Sequence, residues 1–162
     1  MNLKEITQPQ IIYGGKEKDH RGTVSFINDF QFKDVRRFYF IENIEKDFCR
    51  SWNGHPAEKK YFTCVHGSFL IGVVPVDNWD SPSRDLTPIY FELHAENPSI
   101  LVVPSGYANG VRNLTLDSKL MVLSNMTLND SLQDKIRFPF DYWPLDSQSI
   151  DLSKNSQRND FA

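Results

Sequence analysis

The residues best suited to chemistry lie in two short stretches, Arg50 to Gly67 (RSWNGHPAEKKYFTCVHG) and Pro104 to Asn113 (PSGYANGVRN). In the first, Asn53, His55 and Glu58 project from one strand and the turn that follows it. At the two-residue period of an extended strand, Asn53 and His55 share a face. In the second, Pro and Gly set a turn, and Asn109 follows where the next strand begins. If the stretches meet, one pocket receives Asn53, His55, Glu58 and Asn109, with Lys60 and Arg50 close by. His55 is the group able to shuttle a proton near neutral pH. Lys60 or a neighbouring amide would hold a developing oxyanion, and a guanidinium would hold an anionic ligand group.

Each of these residues also has a plainer reading. His55 precedes Pro56 at a turn, where a structural histidine is common. Glu58 and Lys60 also fit an exposed pair on a strand face. Arg50, two residues from Trp52, also fits cation–π packing. Tyr107 and Asn109 fit service in the turn, since Asn tolerates left-handed backbone. Arg36 and Arg37 are adjacent, so at most one of them points into a barrel; a salt bridge is the simpler role. His20, His66 and His94 fall in or beside turns and read as surface residues.

The elements that must position the two stretches read as short strands. A lead-in over residues 1–18 carries an edge strand near Ile11 to Tyr13. A turn at Asp19-His20-Arg21-Gly22 opens onto TVSFINDF, which alternates as a half-buried strand does. VRRFYFIENI is the next strand. Tyr61 to Val65 and Ser68 to Val76 flank His66-Gly67, a hairpin signal. A loop of Asp, Ser and Pro runs from Asp77 to Pro88, and IYFEL, ILVVP, VRNL and LMVLS follow as strands. Leu128 to Lys135 has room for one helical turn. This spacing predicts an all-β sandwich or barrel over residues 1–144, with a polar tail at 145–162.

Composition fits one domain: 162 residues, 40% hydrophobic and 13% aromatic. A net charge of −3 and a pI near 5.8 argue against a general nucleic-acid binder. No apolar run is long enough to cross a bilayer, and the N-terminus has no apolar signal segment. A cytoplasmic location is therefore expected, with Cys49 and Cys64 as unpaired thiols. The sequons at Asn113, Asn125 and Asn129 then carry no meaning.

Two motifs resemble those of the cupins. Asn53-x-His55-x-x-Glu58 with Gly67 is similar to the first, whose usual form has His where Asn53 stands. Pro104-x-Gly106-x-x-Asn109-x-x-x-Asn113 has the spacing of the second, again with Asn for His. Asp19-x-Arg21-Gly22, VRRFYFI, Arg50-x-x-Asn53-x-His55, the Lys60 strand and ILVVPSGYANG resemble the cupin sugar-nucleotide enzymes. These are dTDP-4-dehydrorhamnose 3,5-epimerase and the dTDP-6-deoxy-hexulose 3,4-ketoisomerases, and the resemblance spans roughly residues 19–144. It implies a cupin-type jelly-roll β-barrel, a homodimer, and a dTDP-linked 4-keto-6-deoxy sugar handled in surface polysaccharide synthesis. By this resemblance the catalytic positions are His55, Lys60 and Asn53. The substrate-binding ones are Arg21, Arg50, Glu58 and Asn109, with both arginines on the phosphates.

The resemblance also marks departures. The epimerase base is a His at the position of Asn53, and an amide cannot take up a proton at neutral pH. The epimerase acid, a Tyr, falls where Met121 stands. Two readings follow: an epimerase or ketoisomerase working through His55, or a sugar- or nucleotide-sugar-binding barrel without turnover. A sensor or scaffold subunit is a third. His55 and Glu58 alone are too few for a metal site, so no metal or other cofactor is expected.

Overall fold

The computed structural model describes residues 5–145. Two five-stranded antiparallel sheets face each other. The first has the order β1 (Gln10–Tyr13), β9 (Ser99–Val103), β6 (Lys60–His66), β11 (Lys119–Ser124), β4 (Arg37–Glu42). The second runs β12 (Ile136–Arg137), β5 (Cys49–His55), β10 (Tyr107–Asn113), β7 (Ser68–Pro75), β8 (Ile89–His94). Among the described residues one helix, α1 (Leu128–Asp134), is capped by Thr127, whose side chain accepts from the Asp130 N–H. This is the jelly-roll arrangement expected from the sequence.

The interior between the sheets is apolar at one end and polar at the other. Phe62, Ile71, Val73, Leu93, Leu101, Val111, Leu120 and Val122 form the dry part, each at most 3% exposed. These strands are buried on both faces, because further layers cover the outer sides. On the second sheet, Trp52, Val74, Ala108, Phe138, Trp143 and Leu145 pack together. On the first, Tyr61, Ile100, Val102 and Leu123 are covered by Ile6, Ile27, Phe30 and Val35. Leu145, placed by sequence in the tail, is fully buried. The rest of that tail, 146–162, lies outside the described residues.

Two local expectations are corrected. His66-Gly67 does not make a hairpin: β6 pairs with β9 and β11, while β7 pairs with β8 and β10. Gly67, at φ 70°, instead carries the chain from one sheet to the other. The alternating segment after Asp19 forms β3 (Gly22–Phe26), which pairs only with β2 (Gly15–Asp19). That hairpin stands clear of both sheets, and Val24 is 66% exposed rather than half-buried. Period two sets which residues share a face, and it buries them only when another layer is present.

Candidate active site

The site is written into the pairing of β5 with β10. Asn109 stands opposite Asn53, Tyr107 opposite His55, and Val111 opposite Arg50. Residues directly opposite share a face, and Val111 belongs to the interior. Arg50, Asn53 and His55 therefore look inward with Tyr107 and Asn109. Arg50 and Asn53 are three apart, an odd spacing that would put them on opposite faces of a regular strand. A bulge resolves this: Ser51 and Trp52 together oppose the single Gly110. Trp52 then turns outward, where its indole N–H donates to the Trp143 carbonyl. Gly110 is needed at this crowding, because a Cβ there would lie 2.8 Å from the Ser51 Cβ.

Glu58 is the hub of the polar end. Its carboxylate is fully buried and accepts hydrogen bonds from the hydroxyls of Ser124 and Ser131. Lys60 Nζ lies 3.2 Å from Oε1, and an Arg37 terminal nitrogen lies 3.5 Å from the same oxygen. His55 Nδ1 approaches Oε2 at 2.9 Å, a close contact without the alignment of a hydrogen bond. Asp134, on α1, accepts from the backbone N–H groups of Ala57 and Glu58 and lies 3.9 Å from His55 Nδ1. The exposed Glu58–Lys60 pair of the plainer reading is thus ruled out: both residues are at most 4% exposed.

Burial pushes His55 below the usual imidazole range, against the opposing pull of Glu58. Its ring is therefore neutral at neutral pH. With Nδ1 on the carboxylate side, Nε2 is the nitrogen left on the far edge of the ring. Burial alone would raise Glu58, but His55, Lys60 and Ser124 outweigh it and hold the carboxyl well below the usual range. The result is a neutral imidazole beside a buried carboxylate.

A residue that sequence reading missed completes the group. Tyr39 Oη lies 2.9 Å from Lys60 Nζ, and the Arg37 guanidinium stands 4.9 Å from its ring centroid. Arg37, Tyr39 and Ile41 alternate along β4, so the period-two signal of VRRFYFI held this information. Arg37 points inward while Arg36 is exposed, as their adjacency requires. Met121 does not occupy an acid position. It faces the outer side of the first sheet, among Tyr61 and Leu123. Ser124 is the polar residue that β11 sends inward.

Arg50 and Arg21 fare differently from the central group. Arg50 is half-buried, donates to the Asn43 side chain at 2.8 Å and lies over Phe48 rather than Trp52. Burial lowers its basicity from the ordinary value. Arg21 is not brought to the pocket within this chain. The β2–β3 hairpin continues past the Ser99 end of β9, whereas Lys60 sits opposite Val103 at the other end. Its side chain is 79% exposed and engaged by Asp19. Tyr107 and Asn109 lie in β10 itself, so the turn before it is left to Gly106 at φ 92°. His20 and His66 are exposed, while His94 is partly covered between Ser68 and Glu92.

His55, Glu58 and Asp134 bring three potential metal ligands within 4.8 Å of one another. They do not suit a divalent cation. The Glu58 oxygens are taken by two hydroxyls and Lys60, and Asp134 is taken by two backbone N–H groups. An ammonium at 3.2 Å already supplies the positive charge.

This architecture has solved counterparts. The fold is that of dTDP-sugar epimerases and 3,4-ketoisomerases. The dTDP-4-dehydrorhamnose 3,5-epimerase of Elizabethkingia anophelis NUHP1 superposes with a TM-score of 0.71 at 16% identity, over 94% of this chain and 87% of that one. The 3,4-ketoisomerase QdtA of Thermoanaerobacterium thermosaccharolyticum gives a TM-score of 0.64 at 21% identity, over 85% of this chain and 92% of the other. That structure is a histidine-to-asparagine mutant in complex with TDP-4-keto-6-deoxyglucose. The RmlC epimerase of Mycobacterium tuberculosis matches at 22% identity and a TM-score of 0.65, over 83% of this chain and 70% of that one. No family model matches the chain. No curated protein matches it by sequence.

Proposed function

We propose that this protein enolises a dTDP-linked 4-keto-6-deoxy sugar, as an epimerase or 3,4-ketoisomerase. The observation that carries the reading is the pairing of a buried neutral imidazole on one sheet with a Lys60–Tyr39 donor pair on the other. Moving a proton next to a ketone requires a base, a donor for the enolate oxygen and an acid. His55 Nε2 removes the proton. Lys60 holds the developing oxyanion, and the Tyr39 phenol, which accepts from Lys60, keeps its own O–H to give. Asn53 and Asn109 form an opposed amide pair on the interior face, suited to sugar hydroxyls. Arg50 is the cation on that face for the diphosphate.

A second reading is a binding barrel without turnover. The amide at Asn53, in place of the histidine that the resemblance predicts, favours it.

The reading extends to a homodimer in the cytoplasm, serving surface polysaccharide synthesis. β4 is an open sheet edge with Phe38 and Phe40 at 60% and 48% exposure, and such edges call for cover. Arg21 then remains a phosphate ligand only for a pocket other than that of its own chain. No helix among the described residues is long and apolar enough to cross a membrane.

The test is solvent exchange. Incubated with dTDP-4-keto-6-deoxyglucose in deuterated buffer, the protein should wash out the ring proton at C3 or C5 faster than a protein-free control. Ligand broadening without exchange would establish the binding barrel instead. The absence of both exchange and broadening would remove this sugar from the account.

A further inference from the structure

On the inner face of β5 and β10 two cross-strand pairs follow one another, Tyr107 opposite His55 and then Asn109 opposite Asn53. Residues directly opposite have their Cβ atoms about 5 Å apart, so a group bound against the His55 ring is within reach of the Tyr107 side chain. Tyr107 packs against the dry interior and is only partly exposed. The chain has six tyrosines, and four use their hydroxyls inside the protein. Tyr39 accepts from Lys60, while Tyr61, Tyr90 and Tyr142 donate to Asp34, Pro144 and Pro82. Tyr13 is 73% exposed and is left to solvent. Tyr107 is the one inward phenol with no hydrogen-bond partner among the described residues. A covered tyrosine hydroxyl ordinarily finds a partner, which makes this one available to a ligand.

We propose that Tyr107 is a specificity-determining residue, whose hydroxyl holds the 3-hydroxyl of the sugar and so directs His55 to the proton at C3 rather than the one at C5. The inference rests on the reading of His55 as the base. A ketone at C4 acidifies the C–H bonds on both sides of it, and only their surroundings tell them apart. C3 carries a hydroxyl, which both donates and accepts, whereas C5 carries a methyl group and the ring oxygen. With C3 at the imidazole, the phenol beside it gains a hydrogen bond. With C5 there, the phenol faces a methyl group and stays unpaired in a covered site, which disfavours that pose. Lys60 stands on the other sheet and holds the C4 oxygen in either pose, so it makes no such choice.

The test sets two sugars against two proteins in deuterated buffer: dTDP-4-keto-6-deoxyglucose and its 3-deoxy counterpart, with the wild type and Tyr107→Phe. The wild type should exchange the C3 proton of the 3-hydroxy sugar about tenfold or more faster than the C5 proton. Tyr107→Phe should slow that C3 exchange about tenfold or more, while the two proteins exchange the 3-deoxy sugar alike. A merely structural role would slow both sugars equally, and that result would overturn the proposal. So would faster exchange at C5 than at C3 in the wild type, a measurement that decides the question by itself should Tyr107→Phe not fold. If the wild type exchanges neither proton, the functional reading fails, and binding decides the role of Tyr107 instead. Affinity for the 3-hydroxy sugar alone should then fall about tenfold in Tyr107→Phe, and an unchanged affinity would overturn the proposal.

Discussion

Lys60 Nζ bridges Tyr39 Oη at 2.9 Å and the Glu58 carboxylate at 3.2 Å, so one buried ammonium joins a phenol on β4 to the anion beneath His55. His55, Arg37, Ser124 and Ser131 are gathered on the same carboxylate. Lys60→Met keeps the volume of the side chain and removes the charge. Turnover should fall on the order of 10²-fold, in line with the loss of one oxyanion donor. Ligand affinity measured by titration calorimetry should change much less.

Tyr39→Phe tests the acid. The phenol is partly buried and reaches the interior from the sheet opposite His55. Its removal should slow product formation on the order of 10²-fold. Single-turnover kinetics with unchanged substrate binding would locate the defect in proton delivery.

Glu58→Ala leaves Lys60 and Arg37 without their shared anion in a buried setting. Breaking such a network from one side costs about 3–5 kcal/mol. For a chain of this size that corresponds to a fall in melting temperature of roughly 10 °C or more. Calorimetry would check it, and a melting point near wild type would contradict the hub role.

Stability should also decline on acidification. His55 sits below its ordinary value of 6.5 in the folded state, and Glu58 sits below 4.5. For both groups the unfolded chain binds the proton more readily, so stability rises with pH. The contribution of His55 is complete above about pH 6.5 and is lost as pH falls below it. That of Glu58 is lost below about pH 4.5. Melting curves in two buffers, at pH 7.5 and pH 5, should show the first loss, and His55→Asn should remove most of it.

The sequence carried the site unevenly, for physical reasons. Asn53, His55, Glu58, Lys60 and Asn109 were legible because they sit on three short strands and the turn between two of them, in two compact stretches of the chain. That the two stretches share a pocket was conditional on their meeting, and the register, with Asn53 opposite Asn109, shows that they do. Ser124, Ser131 and Asp134 were not legible, because they reach Glu58 from 66 to 76 residues away. No local pattern reports such distances. Tyr39 was present in the alternation of its strand, but an aromatic side chain there fits a core as well as a site. Arg21 does not join the group within its own chain, because a motif position says nothing about where a projecting hairpin points.

The account stands or falls on His55 as the base. Ring-proton exchange on dTDP-4-keto-6-deoxyglucose should be measured for the wild type and His55→Asn side by side, with nucleotide-sugar affinity measured for both. Exchange lost by 10²-fold or more, with affinity within a few-fold of wild type, is the predicted result. Equal exchange in the two proteins would show that another group takes the proton, and would contradict the account at its centre.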